Sequence, residues 1–420
     1  MSKRKWLLGL LFLVICFTGI QFIRPELKNP PVTGDLQAPD EVKKILQNSC
    51  YDCHSNETNL KWFDQIAPAY WLVADHVKDG RAALNFSNWD SLAPGDKKAN
   101  LYLSLNQILF KEMPLSNYTM LHPKAKISDN DITVLKNYLI SLSPVKTSDS
   151  ARFSAAEKQY NDWINKAAIA VKPALNGIEF IKGYGQWKAI NTTDRFDNST
   201  LRVIFGNDIA VKAIEEHHTN PWPDGTTFAK VAWEQLVDAD GVVHAGEFKQ
   251  VEFMIKDADK YKETKGWGWA RWKGMDLKPY GKTVLFATEC VNCHQPLKDV
   301  DYVFTTPLAL ETDTLLKWKV ISTKVDKQHK TMSTLYANDI AYQYARTRGD
   351  SNYPVQAQLA LVTWDQQADD HWFGANTPAQ LKSVELVKFD PLPGYKVIKG
   401  TSERDHMNEM IHQRLSVTIE

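Results

Sequence analysis

The sequence predicts a multidomain α+β chain: an all-α amino-terminal domain, then two strand-rich lobes with packed helices, the second a degenerate copy of the first. Three observations predict it. Residues 41–145 place apolar side chains at helical spacing, as in PAYWLVADHV and DITVLKNYLI. From YGQWKAINTT onward the pattern changes to strands: LRVIFGND, TTFAKVAWEQLV, QVEFMIKD and GWGWARW. Finally, the chain repeats itself. NDIA at Asn207–Ala210 recurs at Asn338–Ala341, and the same offset (338 − 207 = 131) pairs Pro223 with Pro354, Trp233 with Trp364 and Gln235 with Gln366. Glu252 pairs with Glu385 after a two-residue insertion (385 − 252 = 133).

With 420 residues the chain is too long for one core. Its 50 basic and 50 acidic residues balance, which gives no ground for a nucleic-acid partner. Four of the five cysteines fall into one pattern, Cys50-Tyr-Asp-Cys53-His54 and Cys290-Val-Asn-Cys293-His294. Cys-x-x-Cys-His attaches c-type haem: two thiols one helical turn apart add to the haem vinyl groups, and the adjacent histidine becomes the iron's proximal ligand. A zinc site or two disulfides would use the same cysteines, but neither calls for a histidine directly after both pairs. Two covalently bound haem c groups are therefore expected, with His54 and His294 as iron ligands.

In chain order, residues 1–24 read as a membrane anchor: Lys3, Arg4 and Lys5 precede an uncharged run from Trp6 to Ile23. That run is near the minimum for a spanning helix, and the positive flank places the body outside, on the periplasmic side of an inner membrane. Cleavage as a signal peptide is the alternative. Residues 25–40 are proline-rich and polar, a tether. Residues 41–145 form the helical domain with the first haem motif. A helical connector over 146–180 follows, then the haem-bearing lobe over 181–310, its copy over 311–400, and a tail over 401–420. His217 and His218 follow a helix-like segment and read as surface residues.

CYDCHSNET, IAPAYWLVADHV, LNFSNW and EMPLSNYTMLHPKAKIS resemble the small haem-binding domain of exported bacterial proteins. The resemblance implies a cytochrome c-like helical fold with a distal methionine from a later loop. Met113 is the best placed, with Met120, His122 and His76 as the other candidates. A His/Met iron suits electron relay.

YGQW, Arg202 leading into GNDIA, PDGTTFAKVAW, VEFMIKD, GWGWARW and the late ECVNCH resemble cytochrome P-460, the haem protein that oxidises hydroxylamine, and its relative cytochrome c′-β. That resemblance implies an antiparallel sheet with packed helices, and homodimers. Lys230 corresponds to the lysine bonded to the porphyrin edge in cytochrome P-460, Arg202 to a distal arginine and Glu252 to a distal carboxylate. Relatives without the lysine bond bind nitric oxide, so a Lys230 crosslink stays open. An arginine there can hydrogen-bond a small nitrogen or oxygen species. A glutamate whose pKa is raised by burial can accept protons from it. In the copy, Lys230 maps to Leu361 and Arg202 to Ser333, and no haem motif follows. The expectation is a periplasmic oxidoreductase. It would oxidise hydroxylamine or a related nitrogen species at the second haem and pass electrons through the first to a respiratory partner. Nitric oxide binding and pure electron transfer are the alternatives.

Overall fold

The computed structural model describes residues 3–165, 170–308, 318–347, 351–401 and 406–418, in two units, 1–142 and 143–420. Residues 166–169 of the expected connector helix and 311–317 of the second lobe lie outside the described residues.

The first unit is helical. Helix α1 (Lys3–Ile20) is exposed along its length. Its uncharged part, Trp6 to Ile20, is 20 − 6 + 1 = 15 residues, about 22 Å at 1.5 Å per residue. A hydrocarbon core is about 30 Å thick. Among the described residues no helix is long and apolar enough to cross a membrane, which corrects the spanning segment expected over Trp6–Ile23. The last three residues leave the helix, where the Gln21 amide donates to Phe17 O (3.1 Å) and Ala67 O (3.0 Å) and accepts from Ala67 N (2.9 Å). The proline-rich stretch after it is strapped to the unit: Thr33 N donates to Ser87 O (2.9 Å), Arg81 bonds Asn29 Oδ1 (2.7 Å), and Leu36 is buried.

Helix α2 (Asp40–Ser49) buries Val42, Ile45 and Leu46, the i, i+3, i+4 stripe of an amphipathic helix. It breaks at Cys50, and α3 (Tyr51–His54) carries the rest of the first haem motif. Helix α4 (Ala69–Ala83) lies against α3 so closely that a Cβ on Gly80 would sit 2.6 Å from Cys53 O. Helices α5 (Pro94–Leu109), α6 (Ser116–Leu121) and α7 (Asp129–Ser141) complete the unit. Ser128 and Asp131 form a reciprocal capping box at the start of α7.

The second unit opens with α8 (Ser150–Ile164), and its described residues form eleven antiparallel strands in one sheet. The first lobe contributes β1 (Lys188–Arg195), β2 (Thr200–Gly206), β3 (Thr227–Val237), β4 (Val242–Lys256), β5 (Trp267–Lys273) and β6 (Lys278–Pro279), with α9 (Asp208–Glu215) after β2 and α10 (Phe286–His294) after β6. The second contributes β7 (Lys319–Asp326), β8 (Thr331–Ala337), β9 (Gln358–Ala368), β10 (Ala375–Asp390) and β11 (Leu392–Gly400), with α11 (Asp339–Thr347) after β8 and α12 (Met407–His412) at the end. β1, β2, β3 and α9 map onto β7, β8, β9 and α11 at the 131-residue offset.

The ring β1-β2-β3-β4-β7-β8-β9-β10 closes on itself, so the lobes are two halves of one eight-stranded barrel. The two seams are equivalent. Arg195 pairs with Ala375 as Asp326 pairs with Val242, and Asp194 with Asn376 as Val325 with Val243. Alternate residues point inward, among them Val203, Val231, Trp233, Val362, Trp364 and Val384, and form the core. At one seam the fully buried Asp194 gathers Gln235 (2.6 Å), its repeat equivalent Gln366 (3.1 Å), Asn376 (2.9 Å) and Lys327. The tail returns to the barrel, where the Trp233 indole donates to Val417 O (2.8 Å).

Candidate haem sites

The outer face of the first lobe holds the second motif. Ile204, Phe228, Met254, Trp267 and Trp269 point outward and pack with α9 and with Ala287, Cys290 and Val291 of α10. A buried ion pair shapes the following loop: Lys256 Nζ donates to both Asp301 oxygens at 2.7 Å, and Trp267 donates to Asp301 O (2.9 Å). Asp301 and Tyr302 take positive φ (50° and 65°), which aims the Tyr302 carbonyl at His294 Nδ1, 2.6 Å away. A carbonyl only accepts, so Nδ1 carries the proton and Nε2 keeps its lone pair. Burial brings the His294 pKa down to about 4, outweighing the Tyr302 bond, and the ring is neutral. Trp269 (4.4 Å) and Phe304 (4.7 Å) flank it. Burial also pushes the Cys290 thiol up to about 11 and the Cys293 thiol upward.

Beside this motif runs a row of charge fixed by strand register. Lys230 lies opposite Glu252 across β3 and β4, and Glu252 opposite Arg271 across β4 and β5. Lys230 Nζ is 2.7 Å from Glu252 Oε2, Arg271 Nε is 3.3 Å from Oε1, and Gln250 also donates to Oε1. Arg202 lies on β2 on the same face and donates to Thr200 Oγ1 (3.1 Å). Burial, then Arg195, bring its pKa down to about 9, against the opposing fields of Glu252 and Asp197. The three expected residues therefore come together with the cysteine pair, whose thiols feel the charges of Lys230, Glu252 and Arg271.

One expectation reverses. Burial does push the Glu252 carboxyl upward, but Arg271, Lys230 and Arg202 together overcome it and hold the pKa well below the usual range. A depressed carboxyl contributes stability that is fully present above its ordinary value of 4.5 and lost as pH falls toward the folded value. Acid denaturation of the barrel should therefore steepen below about pH 4.5. In Glu252→Gln that part of the pH dependence should disappear from chemical denaturation curves.

Sequence reading missed Arg271, Arg195 and Asp197. The one signal for Arg271 was a cation in the middle of the tryptophan-rich GWGWARW. Arg195 and Asp197 gave none.

In the first unit, His54 Nδ1 donates to Leu84 O (3.1 Å), burial lowers its pKa, and burial raises Cys50 to about 12 and Cys53 to about 11. Tyr118 of α6 donates to Asp52 Oδ2 inside the motif (2.6 Å). Among the distal candidates, His122 already holds Tyr118 O on Nδ1 and Asp64 Oδ2 on Nε2, both at 3.0 Å. It would have to release Asp64 to bind a metal. Met113 lies just after α5 and is 38% exposed, Met120 on α6 is 71% exposed, and His76 is half-buried on α4.

Both motifs fit haem. Each offers two protonated, unpaired thiols and one neutral histidine held by a carbonyl, and all five cysteines are free. Among the described residues no group of three or more His, Cys, Asp or Glu is placed to hold a metal ion by itself. Near His294, the Trp269 Nε1 donor is buried with no hydrogen-bond acceptor among the described residues.

The second lobe keeps the scaffold without the chemistry. Leu361 pairs with Glu385 as Lys230 pairs with Glu252, and Ser333, Leu361 and Glu385 line a cavity of about 440 Å³. Tyr395 and His406 Nδ1, each at 2.7 Å, hold Glu385 where cations hold Glu252.

A haem-binding domain model matches residues 15–141, and a cytochrome P460 model matches residues 181–305 and 314–392. No curated protein matches the chain. The P460 segments fall on the two lobes, and the haem-binding match on the helical unit. The chain is a haem-based cytochrome in which a haem-binding domain is joined to a cytochrome P460 domain.

Proposed function

We propose that this protein is an exported dihaem c-type cytochrome. In this reading it oxidises hydroxylamine or a related small nitrogen species at the Cys290/Cys293/His294 site and relays electrons through the Cys50/Cys53/His54 site to a respiratory partner. The observation that carries it is the Lys230–Glu252–Arg271 row, set by register beside the motif helix together with Arg202. When bound, haem supplies the redox-active iron. Arg202 donates hydrogen bonds to the small ligand and favours negative charge developing on it. Glu252 accepts the ligand's protons, while Lys230 and Arg271 fix its orientation. Lys230 meets Glu252 as a cation. In the first unit Met113 would supply the iron's second protein ligand, which suits relay. Covalent haem attachment goes with export, so in this reading the body lies on the periplasmic side.

The strongly acidic Glu252 favours a second reading, nitric oxide binding without turnover, because a carboxylate held by three cations is a weak proton acceptor. The test supplies hydroxylamine and an artificial acceptor to purified protein whose pyridine haemochrome gives two haems per chain. Repeated turnover is expected. A single reduction without cycling, with tight nitric oxide binding, would replace the leading reading by the second.

A further inference from the structure

We propose that the hairpin over 369–374 of the second lobe is part of the first lobe's haem site, with Trp372 as the positioning residue for Arg195, a fixed cation joined to His294 through Trp372 and Phe304. The inference rests on haem at the Cys290/Cys293/His294 site.

The hairpin is where the two halves of the chain differ in length. Between β3 and β4 the turn covers 238–241, four residues; between β9 and β10 it covers 369–374, six. The two-residue insertion seen in the sequence is therefore this turn, and its added length carries His371, Trp372 and Phe373 across the seam. Gly374 O accepts from Asp197 N (3.2 Å), and the Trp372 indole donates to Asp197 Oδ2 (3.0 Å). Asp197 in turn receives Arg195 Nε at Oδ1 (2.8 Å) and its Nη2 at the other oxygen. The Arg195 guanidinium lies over the Trp372 ring, 4.7 Å from its centroid. From the same hairpin, Trp372 packs edge-on against Phe304 (5.8 Å), which flanks His294, and His371 Nδ1 donates to Phe304 O (2.8 Å).

Arg195 is thus held by Asp197 along its edge and by Trp372 on its face, and the Trp372–Phe304–His294 ring contacts join it to the haem motif. A guanidinium so placed, its side chain 15% exposed, favours the more electron-rich, ferrous form and raises the iron's midpoint potential. Removing it leaves the Asp197 carboxylate uncompensated and lowers the potential further. Packing alone would explain the contacts across the seam but predicts no such shift.

Spectroelectrochemistry of the full chain, with haem content fixed by pyridine haemochrome, tests this. Arg195→Gln should shift the midpoint potential of this haem downward, and Trp372→Ala should shift it less in the same direction. Because Trp372 acts through Arg195, the double variant should lie no lower than Arg195→Gln alone. Trp372→Phe, which keeps the ring but loses the indole N–H, serves if Trp372→Ala does not fold. An unmoved potential in Arg195→Gln with full haem content overturns the proposal, as does a Trp372 shift that adds in full to that of Arg195. Hydroxylamine turnover enters none of these arms. A failure of the hydroxylamine reading therefore leaves the test intact, and the haemochrome of the unmodified protein reports haem attachment separately.

Discussion

Glu252→Gln is expected to lower hydroxylamine turnover by about 10²–10⁴-fold, the range for removal of a positioned proton acceptor. The same change strips the anion from a group of cations. Lys230 and Arg271 touch it directly and Arg202 feels its field, while the carboxylates left near them, Asp197 by Arg202 and Glu289 by Arg271, are bonded to Arg195 and Tyr280. Breaking a buried ion pair by removing one partner costs about 3–5 kcal/mol. The Lys230 side chain is 29% exposed, which places the expected loss at or below the lower end, about 2–3 kcal/mol. Stability and catalysis separate in the double variant Lys230→Met/Glu252→Gln. Part of the lost stability should return in urea denaturation, because one stranded cation is gone, while turnover should stay low. Turnover that recovers together with stability would mean that Glu252 serves the fold and moves no proton.

Gly80→Ala should remove the first haem while leaving the second. The added Cβ meets Cys53 O at 2.6 Å, Cys53 C at 3.1 Å and Cys53 Cβ at 3.2 Å, two of them backbone atoms of the haem motif itself. No rotamer relieves contact with backbone, so α4 must move off α3. Overpacking of this kind costs about 1–3 kcal/mol. It would also loosen Leu84, whose carbonyl holds His54 Nδ1 and whose own amide closes α4 on Gly80 O (2.9 Å). Haemochrome should then give one haem per chain where the unmodified protein gives two. Gly95→Ala is the control, since its Cβ meets nothing within 4 Å. Two haems per chain in Gly80→Ala would show that the close approach is not needed for attachment.

What the sequence made legible was local or repeated. The haem motifs are contiguous pentapeptides. The lobes showed themselves because residues 131 apart do the same packing, as Trp233 and Trp364 do inside the barrel. Lys230, Arg202 and Glu252 were reached through resemblance, and strand register brings them onto one face. What stayed hidden depends on pairing between distant strands. The acidity of Glu252 is set by Arg271, and Arg195 acquires its place from Trp372, 177 residues later (372 − 195). Barrel closure was equally invisible, because edge pairing such as Asp194 with Asn376 leaves no periodic trace. Helix α1 was read as too long because hydropathy counts apolar residues, whereas the Gln21 bonds end the helix.

The two seams also govern how the protein is made. Asp194 and its partner Asn376 are 182 residues apart (376 − 194), so β1 emerges long before the strand that covers its free edge. Pairings of such sequence separation close slowly. Until β10 arrives, the first lobe presents an open edge and an uncovered apolar face, the form of a chain most prone to aggregate. The cysteines at 290 and 293 appear within that interval, while α10 has only half a barrel beneath it. Synthesis rate, chaperone capture and the timing of haem delivery thus converge on one stage of the protein's biogenesis. A yield limited at that stage would respond to slower expression rather than to more haem.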